Sequence, residues 1–249
     1  ESHVGRVLDP AGGSWFVEDP TKRLAQRVWR HFQDVEAHGG FVDARDYVAG
    51  RIAEVAVRRA DDIAHRRTAV TGVNEFPNLG EPALPQTNSL ASPEAQRIVQ
   101  RYAAPFEGLR DRSDVFVART GSRPQALLLP LGPLAEHNIR TTFASNLLAS
   151  GGIEAINPGT VDASGVAAAV ADVAKAESPV VAVICGTDKR YHEEAADVVA
   201  AARSAGVARV YLAGPEKALA DDGDRPDEFL TAKVNAVEAL SNLLTRLGA

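Results

Sequence analysis

Cys185 and His192 stand seven residues apart, and a thiol with an imidazole in reach is the most reactive pairing this sequence offers. Such a pair acts as a nucleophile only when a third group orients the imidazole. No third group is marked by spacing, and the apolar run Val180-Val181-Ala182-Val183-Ile184 ahead of Cys185 reads it as a buried strand-end cysteine. The six histidines are His3, His31, His38, His65, His137 and His192; none is paired at metal-ligand spacing, so no metal ligands are assigned. With a single cysteine the chain has no intramolecular disulfide and no thiolate cage. The short Gly186-Thr187-Asp188-Lys189 lacks the glycine spacing that lets backbone N–H groups cradle a phosphate, which leaves nucleotide binding unsupported.

What could position these residues is legible in the hydrophobic pattern. From Gln125 onward short apolar runs alternate with amphipathic stretches. Residues 126–130, 153–156, 180–185, 209–213 and 228–232 read as strands, and 136–149, 162–176, 189–204 and 235–247 as helices. The crossover over 214–224 is weak, a single turn, because Gly214-Pro215 and Asp221-Asp222-Gly223-Asp224 interrupt it. Five short apolar strands joined by helices predict a doubly wound parallel α/β sheet of flavodoxin-like order, buried on both faces. Ligands bind such a sheet outside the carboxyl ends of its strands. The candidate loops are therefore 131–137, 157–162, 186–190 and 214–217, and His137 is the histidine on them.

Before the sheet, Asp19-Pro20 reads as a helix start, with Leu24, Val28, Phe32 and Val35 on one stripe and Gly39-Gly40 as the stop. Asp43 opens a second helix carrying Ile52 and Val55, whose Arg58, Arg59, Arg66 and Arg67 read as a solvated basic face. Residues 71–93 are dense in Pro, Asn and Gly and mark a domain boundary. A helix restarts at Ser92-Pro93-Glu94 and breaks at Pro105. Phe106, Leu109, Ser113, Phe116 and Val117 form a further helical stripe closed by Gly121, although 114–118 also fits a strand. The division expected is 1–80, 81–124 as linker and helices, and 125–249 as the α/β domain.

At 249 residues, 45% of them apolar, the chain can bury a substantial core. Lys plus Arg number 27 against 33 Asp plus Glu, so there is no positive field for nucleic acid or an anionic membrane. No apolar stretch approaches the ~18 residues of a membrane span, and the single cysteine fits a reducing, cytoplasmic setting. Methionine is absent, position 1 included, and we expect further chain upstream.

Two segments carry a resemblance. Asp9-Pro10-Ala11-Gly12-Gly13-Ser14, preceded by Gly5-Arg6-Val7, is similar to the segment that ends the catalytic barrel of the acyl-CoA mutases, of which methylmalonyl-CoA mutase is the nearest. Arg66-Arg67 through Thr71-Gly72-Val73-Asn74-Glu75-Phe76-Pro77 resembles that family's next marker, and the α/β portion resembles its cobalamin-binding domain. The resemblance implies that residues 1–80 are the carboxyl-terminal end of an incomplete (β/α)₈ barrel, since a whole one takes ~250 residues. Cobalamin-binding members carry Asp-x-His-x-x-Gly after the first strand. The histidine ligates cobalt, the aspartate orients it, and the glycine lets the nucleotide tail pass. Here the alignment falls on Ala135-Glu136-His137-Asn138-Ile139-Arg140, so the histidine survives while alanine and arginine replace its companions. Ala213-Gly214-Pro215-Glu216 and Ala232-Lys233-Val234 depart from the glycine-rich loops of the same relatives. The resemblance with these losses implies a small, non-catalytic subunit of a heterodimeric mutase. It would have no catalytic or cofactor-binding residues, bind no cofactor itself, and support a homologous large subunit that holds adenosylcobalamin. The alternative is a cobalamin-binding chain of a related acyl-CoA mutase with His137 as cobalt ligand; a stand-alone α/β binding module is a third reading.

Overall fold

The fold was obtained as a computed structural model that describes residues 3–81, 101–173 and 179–249. The helix expected at Ser92-Pro93-Glu94 lies outside the described residues. The chain divides into two compact units, Glu1–Arg58 and Arg59–Ala249.

In the first unit, α1 (Trp15–Ala37) begins four residues ahead of the Asp19-Pro20 signal. Ser14, extended at the N-cap, accepts from the amides of Val17 and Glu18 through its carbonyl. Pro20 then sits inside the helix, where its missing N–H removes one bond near the start and leaves the helix intact. Gly39 and Gly40, at φ +96° and +83°, end it in the left-handed conformation that glycine adopts without strain. A single turn, α2 (Gly40–Asp43), leads into α3 (Arg45–Ala64), which runs across the division between the units. The apolar stripe of α1 finds no core: Leu24, Val28, Trp29 and Phe32 are all exposed.

The second unit is built on β1 (Gln125–Pro130), β2 (Glu154–Ile156), β3 (Val181–Cys185), β4 (Arg209–Leu212) and β5 (Glu228–Phe229), all parallel in the order 2-1-3-4-5. This is the flavodoxin-like order expected. Side chains alternate between faces along a strand, and here they sort into two cores. Ala126, Leu128, Val181 and Val183 face α5 (Leu134–Ser150) and α8 (Ala236–Arg246), with Phe106 and Leu109 of α4 (Ala104–Thr120) in the same cluster. Leu127, Leu129, Ala182, Ile184 and Leu212 face α6 (Val166–Val173) and α7 (Asp188–Ser204). The 214–224 crossover is one 3₁₀ turn, Glu216–Ala218. The fifth strand is shorter than the apolar run 228–232: after Leu230 donates to the Leu212 carbonyl, the chain turns away. Residues 104–120 are helix, with Pro105 in the first turn and Gly121 (φ +84°) closing it, so the strand alternative at 114–118 falls.

The second compact unit begins at Arg59. Within it Ile63 is buried in the α5/α8 core, and Val70 and Val73 pack against that core.

Candidate functional site: the carboxyl edge of the sheet

The backbone turns from strand to helix at once after β1. Pro133 is the extended N-cap of α5, so the connection is only Leu131-Gly132-Pro133. Glu136 and His137, expected on a loop, therefore lie in the first turn of a helix. His137 is 3% exposed and its Nδ1 has no hydrogen-bond partner among the described residues. One turn further, the Arg140 guanidinium reaches across the strand ends: Nη1 donates to the Ala213 carbonyl at 3.0 Å, and Nη2 pairs with Asp188 at 3.1 Å. The Tyr191 hydroxyl donates to the same Ala213 carbonyl at 2.8 Å and accepts from the Gly186 amide at 2.9 Å. The edges after β3 and β4 are thus tied by one buried phenol and one arginine.

A second arginine closes the other side. Arg190 Nε donates to Glu136 at 2.6 Å and Nη1 to Glu194 at 2.5 Å, joining α5 to α7. The Arg190 hydrogen bond holds the Glu136 carboxyl below its ordinary range. Three glycines make room for these side chains. A Cβ on Gly132 would stand 2.6 Å from Arg190 Nε, one on Gly214 2.8 Å from the Tyr191 ring and 3.1 Å from Arg140 Nη1, and one on Gly186 3.2 Å from Arg190 Cβ. Glycine leaves space in all three places, and the chain's own side chains take it up.

The candidate nucleophile is not assembled. Cys185 is fully buried in the sheet, its thiol pushed up to about 12 by burial, while His192 lies exposed on α7. Among the described residues no group of three or more His, Cys, Asp or Glu could hold a metal ion. In the last loop Ala232 and Lys233 are exposed, and the Lys233 amide donates to Thr231 Oγ1.

The space at this edge is taken up by the Arg140 guanidinium, the Tyr191 ring and the Arg190–Glu136 pair, and His137 is buried on α5. Arg140 was legible from its position in the motif. Arg190, Tyr191, Asp188 and Glu136 were not, because the pairs Arg190–Glu136 and Arg140–Asp188 span 54 and 48 residues and leave no local signal.

The sequence model for methylmalonyl-CoA mutase matches residues 1–115. The chain is 74% identical over its whole length to the probable methylmalonyl-CoA mutase small subunit of Mycobacterium tuberculosis. It is 41% identical over its whole length to the methylmalonyl-CoA mutase small subunit of Streptomyces virginiae. It spans 39% of the length of each of these relatives. The methylmalonyl-CoA mutase large subunit of Streptomyces virginiae is 44% identical over 80 residues, which is 30% of this chain and 11% of that subunit.

Proposed function

The chain belongs to the methylmalonyl-CoA mutase family, and from that premise we propose that it acts within a small, non-catalytic subunit. That subunit supports a homologous large subunit, which carries adenosylcobalamin and interconverts methylmalonyl-CoA and succinyl-CoA. The observation that carries this reading is the filled carboxyl edge of the sheet, above all Arg140 on the Ala213 carbonyl. An unpaired arginine forced to share a dry tunnel with a ligand is costly, whereas this one is already satisfied by chain groups. A fold kept while its ligand crevice is filled suits a partner that needs the shape rather than the chemistry. A paired homologue can then reuse a nearly isologous surface without a second active site. On this reading the chain is inactive alone and works in the cytoplasm, in propionate metabolism.

Hydroxocobalamin titration and co-expression with a large mutase subunit test it together. The visible spectrum of cobalamin stays unchanged on adding this chain. Size-exclusion chromatography yields a one-to-one complex, whose mutase activity survives His137→Ala. A spectral change abolished by His137→Ala would instead promote His137 to a cobalt ligand. A large subunit fully active and equally stable without its partner would overturn the supporting role.

A further inference from the structure

The marker segment 66–77 has no part in the strand-edge site, yet it carries a dense set of polar contacts. Asn74 is completely buried. Its Oδ1 accepts from the Val70 amide at 2.7 Å, and its Nδ2 donates to the carbonyls of Ile63 and Thr68 at 3.1 and 3.0 Å, which winds the segment into a closed turn. Arg66 completes the turn from the other side, donating to the Asn74 carbonyl at 2.9 Å and to Glu75 at 2.8 Å. Two side chains from the α/β body then hold this turn. Asn146 of α5 accepts from the Phe76 amide at 2.7 Å and donates to Glu75 at 2.5 Å. Arg110 of α4 donates to the carbonyls of Gly72 and Val73 at 3.0 and 2.5 Å. Arg66 and Phe76, at the two ends, both adopt left-handed backbone, φ +55° and +50°, a conformation that is strained for a non-glycine residue and persists only where the surroundings impose it.

We propose that residues 66–76 form a strap latched onto the α/β body by Asn146 and Arg110, and that it opens as a unit without the sheet unfolding. The apolar attachment is small: Val70 and Val73 are only partly buried against the core and the Arg66 guanidinium lies 5.7 Å from the Phe143 ring centroid of α5, so the latch rests chiefly on hydrogen bonds to two side chains. Segments with few buried apolar contacts open at lower free energy than core strands. The strands beneath are buried on both faces and do not depend on the latch. In the latched state Phe76 is held with its ring exposed and Glu75 is shared between Arg66 and Asn146. The strap is independent of the mutase reading and would stand if that reading failed.

Native-state hydrogen exchange with mass spectrometry, on the whole chain and on Asn146→Leu, tests it. In the unsubstituted chain the amides of 70–76 exchange faster than those of 126–130 and 181–185. In Asn146→Leu exchange of 70–76 accelerates at least tenfold while the two strands keep their protection, and trypsin cuts faster at Arg66 and Arg67. Unchanged protection of 70–76 would overturn the latch, and an equal loss in the strands would overturn the separate opening. Should Asn146→Leu not fold, Glu75→Gln, which keeps the shape but removes the charge and one of the two acceptors, carries the same comparison. A smaller but selective acceleration of 70–76 is expected, and none would overturn the proposal.

Discussion

Arg190 gathers two carboxylates, Glu136 at 2.6 Å and Glu194 at 2.5 Å, and so joins two helices that lie far apart in the chain. Glu136 is thereby easier to ionise in the native state than in the unfolded chain. A carboxylate with a depressed native pKa contributes stability that is present above its unfolded value, about 4.3, and is lost as pH falls through the native one. Asp162 follows the same sign, held low by the Ser164 hydroxyl and the Gly165 amide. Part of the acid sensitivity of the second unit therefore belongs to the Glu136 pair. Thermal melts between about pH 5 and pH 3 check this: Glu136→Gln lowers the melting temperature at pH 5 but flattens its fall toward pH 3. A variant with the same slope as the parent would place the acid transition elsewhere. Salt weakens the pair as well, since these side chains are only partly buried.

At the scale of elements, short strands decide how near the loops come to one another. Gly214 lies two residues past the end of β4, and its missing side chain is the space into which Tyr191 and Arg140 pack. Gly214→Ala would push a methyl within 2.8 Å of the Tyr191 ring, so the ring or the loop must shift. Overpacking of this kind costs roughly 1–3 kcal/mol. Urea unfolding followed by circular dichroism should show a lower midpoint with an unchanged slope. A Gly214→Ala protein as stable as the parent would mean that Tyr191 moves freely. The strands were readable in advance as short apolar runs and most helices from their periodicity; residues 126–130 and 181–185 are buried throughout and divide between two cores. Helix starts were less readable. Pro133 and Ser14 cap helices without a side-chain bond, and the helices begin earlier than the polar signals at Glu136 and Asp19.

Both tryptophans, Trp15 and Trp29, lie on α1, and they are 91% and 60% exposed. Phe16, Leu24, Val28 and Phe32 of the same helix are exposed as well. Tryptophan fluorescence is therefore a direct report on the first unit. In the isolated chain emission is expected near that of solvated indole and open to iodide quenching. Adding a large mutase subunit shifts it to the blue and protects it. Emission that stays solvated in a complex proven by chromatography would put the contact on another surface.

The sequence by itself determined the order of elements, the parallel sheet, and the family through its two ordered markers. Each of these is local, carried by periodicity or by residues a few positions apart. Only the tertiary structure decided that His137 is buried in a helix, that Arg140 is satisfied by Ala213 and Asp188, and that Arg190 bridges Glu136 and Glu194. These outcomes depend on contacts between residues tens of positions apart. The physical reason is that hydrogen bonds and burial act through space, and chain position alone carries no record of which distant groups the fold will bring within their reach.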